Sequence, residues 1–130
     1  MTQTITGGCL CGACRYETAA EPLNIRACHC HLCQKATGGP FYARVQVPFD
    51  TLTITGPVGW YPSSDAILRG FCPNCGTTLF SRRASGNVIG LAMGSLDEPD
   101  RFSPTEHIWV SSKQAWLVLA DGLPQHREGP

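Results

Sequence analysis

Short alternating apolar and polar runs, cut by Gly and Pro, make up most of the chain. In Ala13-Cys14-Arg15-Tyr16-Glu17-Thr18, a strand places Cys14 and Tyr16 on one face and Arg15 and Glu17 on the other. Leu23–Ala27 reads as a second short strand. Phe41–Val47 puts Phe41, Ala43, Val45 and Val47 on one face until Pro48 ends it. Leu52 and Ile54 among threonines form another, closed by Gly56-Pro57, and Trp60-Tyr61 begins a further one. Ala66–Phe71 and Thr77–Ser81 flank Cys72-Pro73-Asn74-Cys75-Gly76. Asn87–Met93 is a long apolar strand interrupted by Gly90, and His107–Val110 is a strand candidate. His31–Thr37 predicts about one or two helical turns, stopped by Gly38-Gly39-Pro40. Residues 97–101 read as a turn or short helix, and Lys113–Leu119, carrying Trp116, is ambiguous between strand and helix. The tail Asp121–Pro130 is polar and expected on the surface.

These elements predict a mainly β fold with many turns, and the length of 130 residues is that of one domain, 1–130, able to bury a core without disulfides. Composition supports a soluble globular chain, 42% hydrophobic and 15% charged. The formal net charge of +0 speaks against nucleic acid or an anionic membrane as partner. No apolar run approaches the roughly 20 residues of a membrane span. Met1-Thr2-Gln3-Thr4-Ile5 lacks the basic and apolar regions of a signal peptide, so a cytoplasmic, reducing location is expected. In that setting the 8 cysteines are metal ligands rather than disulfides.

The cysteines fall into three clusters: Cys9/Cys11/Cys14, Cys28/Cys30/Cys33 and Cys72/Cys75. Closely spaced thiolates are soft ligands suited to zinc. The strand–knuckle–strand pattern around Cys72 and Cys75 is that of a zinc-ribbon hairpin. Two partitions are open. Either Cys14 joins the central triad and both sites have four cysteines, or Cys14 stays out. Chain direction favours the second, because Cys14 lies beyond Gly12 in an alternating strand and should enter the core with Tyr16. Cys9, Cys11, Cys72 and Cys75 then form a closed four-cysteine site, each half a knuckle followed by glycine. Cys28, Cys30 and Cys33 are left with three ligands, the pattern of a reactive zinc with an open position. His29 alternates with Cys28 and Cys30 and should point away. His31 has two readings, ligand and exposed surface residue. A redox dithiol at Cys30/Cys33 leaves Cys28 unexplained.

Cys9-x-Cys11-Gly12, Cys28-His29-Cys30-x-x-Cys33-x-Lys35 and Phe71-Cys72-x-x-Cys75-Gly76-Thr77, in this order, resemble the glutathione-dependent formaldehyde-activating enzyme family. His107-Ile108-Trp109, Trp116 and Asp121-Gly122-Leu123-Pro124 resemble its C-terminal pattern. The resemblance implies a small zinc-binding β-sandwich or β-tent-like fold, similar to the zinc-binding partner of small GTPases. It implies a structural zinc on Cys9, Cys11, Cys72 and Cys75 and a catalytic zinc on Cys28, Cys30 and Cys33, hence two zinc per chain, the second labile. Cys14 stands where family members usually carry a small apolar residue.

The activity implied is a carbon–sulfur lyase of the S-(hydroxymethyl)glutathione synthase type, joining formaldehyde to a small-molecule thiol such as glutathione or splitting the adduct. The chain is shorter than the glutathione-specific member, which leaves the substrate less defined than the metal sites. Zinc on three thiolates is a weak Lewis acid better suited to activating a thiol. Arg26, Lys35, Arg44 and Arg69 are candidates for substrate carboxylates, with solvated surface charge as the simpler account of each. His107 is readable as a proton shuttle or as a packed strand histidine. Gly38-Gly39 reads as close substrate access or as a plain turn. A different class, a non-enzymatic zinc module binding a protein partner, would instead close the central site with Cys14 or His31.

Overall fold

The structure is a computed structural model, described here for residues 3–129. It is mainly β. A small sheet is built from β1 (Ile5–Gly8), β2 (Arg15–Thr18) and β5 (Thr53–Thr55), in the order β1-β2-β5. The larger sheet holds β3 (Asn24–Cys28), β4 (Tyr42–Pro48), β6 (Gly59–Pro62), β7 (Ile67–Phe71), β8 (Thr78–Arg83), β9 (Val88–Ala92) and β10 (Glu106–Ile108). Its order is β10-β3-β4-β9-β8-β7-β6, antiparallel except for the parallel pair β10–β3. The α-helix α1 covers His31–Thr37, as the sequence pattern predicts, and ends at Gly38.

Alternation decides what each face of the large sheet meets. Val45 and Val47 of β4, Ile89 and Leu91 of β9 and Phe80 of β8 are fully buried in one cluster. Ile5 and Tyr16 of the small sheet, and Cys14 just before β2, meet them there. Tyr16 sets its ring edge-on against Phe80 at 5.3 Å and shares a 2.7 Å hydrogen bond with Ser95 Oγ. Each large side chain removed from water here contributes about 1.5–3 kcal/mol. Cys14 is in this core on the same side as Tyr16, as the alternation predicts, although the strand itself begins one residue later.

The other face of β4 departs from expectation. Phe41 precedes the strand and lies over the His29 ring at 5.2 Å. The polar-looking alternate set, Tyr42 and Arg44, turns toward α1 and the central cysteines rather than to solvent. A second buried cluster there contains Tyr42, Cys28, Cys33, Ala92 and Ile108. Both faces of the large sheet are thus occupied, one by a sheet and one by the helix that carries the triad.

The C-terminal region also differs from its pattern. The strand predicted at His107–Val110 stops at Ile108, because Trp109 takes a left-handed conformation (φ 59°) and a 3-10 turn follows at Val110–Ser112. Residues 113–119 form neither strand nor helix. The polar tail is tied down. His107 N–H donates to Pro124 O, His126 N–H to His107 O, and Val110 N–H to His126 O, each at 2.9–3.0 Å. No helix among the described residues is long and apolar enough to cross a membrane.

Candidate metal centres

At one end, two knuckles face each other. The first follows β1, where Cys9 N–H bonds Cys14 O and Gly12 N–H bonds Cys9 O. The second joins β7 to β8, with Gly76 N–H on Cys72 O at 2.8 Å. A register shift at Gly70/Phe71 turns the chain out of the ladder just before it. Gly12 and Gly76 have φ near +80° (81° and 80°), a conformation that glycine reaches without strain. Leu10 N–H reaches across to Thr77 Oγ1 at 3.0 Å and links the knuckles. The four sulfurs of Cys9, Cys11, Cys72 and Cys75 lie within 4.8 Å of one another. Cys9–Cys11 is 3.6 Å and Cys11–Cys72 is 3.7 Å. A tetrahedron with zinc–sulfur bonds of 2.3 Å has edges of about 3.8 Å, so the donor set fits zinc. The Thr77 hydroxyl, at 3.1 Å from the sulfur, holds the Cys75 thiol down to about 5. The Cys14 N–H donates to Cys9 Sγ at 3.2 Å, while its side chain stays in the core outside the cluster.

The second cluster is local. Cys28 ends β3, Cys30 caps α1 and Cys33 lies in its first turn. Cys30 Sγ accepts the Cys33 N–H at 3.3 Å, so a cysteine sulfur does the work of a capping side chain. The three sulfurs lie within 4.8 Å of one another, and no fourth Cys, His, Asp or Glu among the described residues joins them. Donation from Cys28 makes the Cys30 thiol far more acidic than a free one, while the same interaction holds the proton on Cys28. Cys28 and Cys33 are buried and Cys30 half-buried.

A cavity of about 460 Å³ opens on this triad. Its walls include Tyr42, Arg44, Arg69 and Trp109, and no Asp or Glu lines it. That volume is in the range of small-molecule sites. His31 lies on its rim, exposed, and is not grouped with the sulfurs. Arg69 donates from both terminal nitrogens to Cys33 Sγ, at 3.5 and 3.6 Å, and from Nε to Ser63 Oγ at 3.0 Å. Arg44 donates to Asn24 Oδ1 at 2.6 Å. Gly90 makes room for it, since a β-carbon there would come within 2.7 Å of Arg44 Cδ and 2.5 Å of Ser81 Oγ. The glycine that interrupts the apolar run is thus a seat for an arginine. Of the other cations singled out in the sequence, Arg26 is held by Glu106, which also pairs with His126. Lys35 is exposed on neighbouring grooves, away from the triad cavity.

The sequence profile of the family described as "Glutathione-dependent formaldehyde-activating enzyme" matches residues 4–112. The chain belongs to this family. An uncharacterized lyase of Schizosaccharomyces pombe is 35% identical over 80 residues, which is 62% of this chain and 58% of that protein, so the match spans less than two thirds of the relative. A Halomonas elongata protein, named as a candidate glutathione-dependent formaldehyde-activating enzyme, is 26% identical, covering 88% of this chain and 80% of its own length. Among solved structures, a Rhodobacter sphaeroides protein superposes with a TM-score of 0.59 at 23% identity, over 76% of this chain and 91% of the other. That likeness is one of fold.

Two features behind the family's central motif were not legible from spacing. His29 is fully buried, turned away from the cavity as alternation predicts, and shares a 3.0 Å hydrogen bond between its Nε2 and His107 Nδ1. His107 Nε2 in turn bonds Asp121 Oδ2 at 2.7 Å. The carboxylate orients the chain: His107 donates from Nε2, accepts at Nδ1, and His29 therefore donates from Nε2. Burial, followed by the nearby His107, lowers the His29 pKa. His107 is the packed strand histidine of the two readings. Gln34 of α1 donates to His29 O at 2.8 Å and Ser112 O at 3.0 Å, and accepts from Gln114. Together these bonds clamp His29, between Cys28 and Cys30, and the helix that follows to the C-terminal segment, joining residues 78 to 80 positions apart.

Proposed function

We propose that the chain is a zinc-dependent carbon–sulfur lyase that forms or splits the S-hydroxymethyl adduct of a small thiol, glutathione or one like it, with formaldehyde. In this reading Cys9, Cys11, Cys72 and Cys75 hold a structural zinc. Cys28, Cys30 and Cys33 hold a labile catalytic one, in a single zinc domain of β-tent type that works in the cytoplasm. The observation that carries the reading is the three-sulfur set, one ligand short of a tetrahedron, at the base of a cavity of about 460 Å³. When bound, zinc would supply activation of a thiol as its thiolate. The reaction joins the thiol sulfur to the formaldehyde carbon. The thiol proton ends on the former carbonyl oxygen, so no further reactant is needed, and the reverse splits the same bond.

The protein's part is placement. Cys30 at the helix start and Cys33 one turn on are fixed relative to Cys28 by the β3–α1 junction, and the Tyr42 and Trp109 walls limit access of water. Proximity of two bound reactants in such a cavity is a large source of rate. The rival, a closed module for a protein partner, needs Cys14 or His31 as fourth ligand. Cys14 packs in the other core, and His31 stands on the rim.

Metal analysis with an exchange assay tests the reading. The purified chain should carry about two zinc. Mixing it with formaldehyde and glutathione should speed adduct exchange, followed by magnetization-transfer NMR, and Cys30→Ser should abolish that gain. A chain with two zinc and no effect on exchange with glutathione or simple thiols would sink the lyase assignment.

A further inference from the structure

Resting on the reading of Cys28, Cys30 and Cys33 as a metal centre that takes a thiol, we propose that Arg69 is a positioning residue that sets the centre's preference for anionic sulfur ligands. Its guanidinium, backed by that of Arg44, supplies the positive charge the centre needs to accept a thiol as its anion, whatever the rest of the thiol carries.

Three observations lead there. First, Arg69 is engaged. Its forked nitrogens both address Cys33 Sγ at 3.5–3.6 Å, and Nε is tied to Ser63. A guanidinium kept to grip a substrate carboxylate would present that fork to the open cavity; here the fork is on a ligand sulfur. The Tyr42 ring, 5.8 Å from the guanidinium carbon, backs it from β4.

Second, the charges add up only with these arginines. Three thiolates and a dication carry a net charge of −1, and one more thiolate makes it −2 by formal count. Arg44 and Arg69 offset that sum, and the cavity walls hold no carboxylate that would compete for them. Neither arginine forms an ion pair with a carboxylate among the described residues. Burial opposes the charged form of Arg44, a cost that falls when thiolate charge is nearby.

Third, the chain keeps both cations in place at some expense to its strands. Gly90, in the middle of β9, leaves the space that Arg44 crosses. Ser63, just past β6, holds Arg69 from behind. A neutral fourth ligand gains little from this arrangement, whereas an anionic one gains the full interaction.

The test uses the holoprotein with cobalt(II) exchanged into the three-cysteine centre and follows the ligand-field and sulfur-to-cobalt charge-transfer bands. Three probes are titrated at one pH: 2-mercaptoethanol, 3-mercaptopropionate and imidazole. Charge-assisted hydrogen bonds of this kind correspond to about 10- to 100-fold in affinity. Arg69→Gln should weaken both thiols by that factor and by the same ratio, while imidazole moves by less than about 3-fold, and Arg69→Lys should recover most of the loss for both thiols. Weakening of 3-mercaptopropionate alone makes Arg69 a carboxylate clamp and overturns the proposal. Equal loss for all three probes, or no loss for any, overturns it as well. If cobalt does not enter the centre of the unmutated chain, the metal reading beneath the proposal fails. If cobalt enters and the variants bind all probes as before, only the role of Arg69 fails. Unchanged far-ultraviolet circular dichroism and thermal midpoints in Arg69→Lys exclude misfolding as the source of any change.

Discussion

The two cysteine clusters begin alike and end differently. Each has a short cysteine spacing and a backbone N–H aimed at sulfur, Cys14 N–H on Cys9 and Cys33 N–H on Cys30. The first cluster draws its sulfurs from two knuckles, with Cys11 and Cys72 separated by 61 positions, and protein supplies all four corners. The second draws all three sulfurs from one strand–helix junction, and its remaining side faces a cavity with two arginines. A metal held by the first set would cross-link distant segments and offset the entropy of a long loop. A metal held by the second set would constrain little beyond its own turn, which under the proposed function leaves a corner for chemistry. The donor type is the same in both sets; what differs is the topology that delivers the sulfurs.

The largest test of this contrast is Cys72→Ser. Opening the cross-link should cost on the order of 5 kcal/mol or prevent folding, read from thermal unfolding and the yield of soluble protein. Cys30→Ser should instead cost about 1 kcal/mol, remove one metal and leave the unfolding transition cooperative. Comparable losses of stability in the two variants would erase the distinction. Metal removal sharpens it further. Stepwise chelation followed by absorbance and circular dichroism should release the first equivalent with the β signal intact, and the second together with unfolding.

A smaller effect is expected at Gly90. Gly90→Ala forces a methyl against Arg44 Cδ and Ser81 Oγ, and should cost about 1–3 kcal/mol in chemical denaturation. It should also disturb ligand binding at the three-cysteine cavity, while the four-cysteine metal stays bound.

The smallest effect concerns pH. Asp97, held by Arg15, ties β2 to the segment after β9, and Glu106, held by Arg26 and His126, ties β10 to β3 and the tail. Both carboxyls titrate below their ordinary values, chiefly through those arginine bonds. A depressed folded-state pKa contributes stability above the unfolded value, and that contribution is lost as pH falls through the folded one. Stability should therefore be flat near neutrality and decline below the ordinary carboxylate range of roughly 4. Asp97→Asn and Glu106→Gln should flatten that decline in pH-dependent denaturation. The exposed Arg15–Asp97 pair should contribute less than the more sheltered Arg26–Glu106 pair.

Much of this was legible in the chain itself. The spacing of Cys28, Cys30 and Cys33, the paired knuckles, the placement of Cys14 and Tyr16 in a core and the helix from His31 to Thr37 all follow from local rules, because period, turn chemistry and short-range ligand geometry are written in neighbouring residues. What local pattern cannot carry is which surface a strand's second face will meet. Arg44 reads as a candidate for a substrate carboxylate or as a surface charge, and nothing in the pattern shows that it lines one cavity with Tyr42 and the three cysteines. Arg69 reads as a candidate for a substrate carboxylate or, more simply, as a surface charge, yet the register of β7 against β8 turns it onto Cys33. Likewise the polar tail and Asp121 become part of the triad's support only because β10 lies parallel beside β3 and brings His107 under His29. Spacing along the chain was enough to sort the cysteines into a set of four and a set of three. What surrounds the set of three came from the folded chain, since those neighbours lie on separate strands whose meeting depends on the packing of the whole sheet.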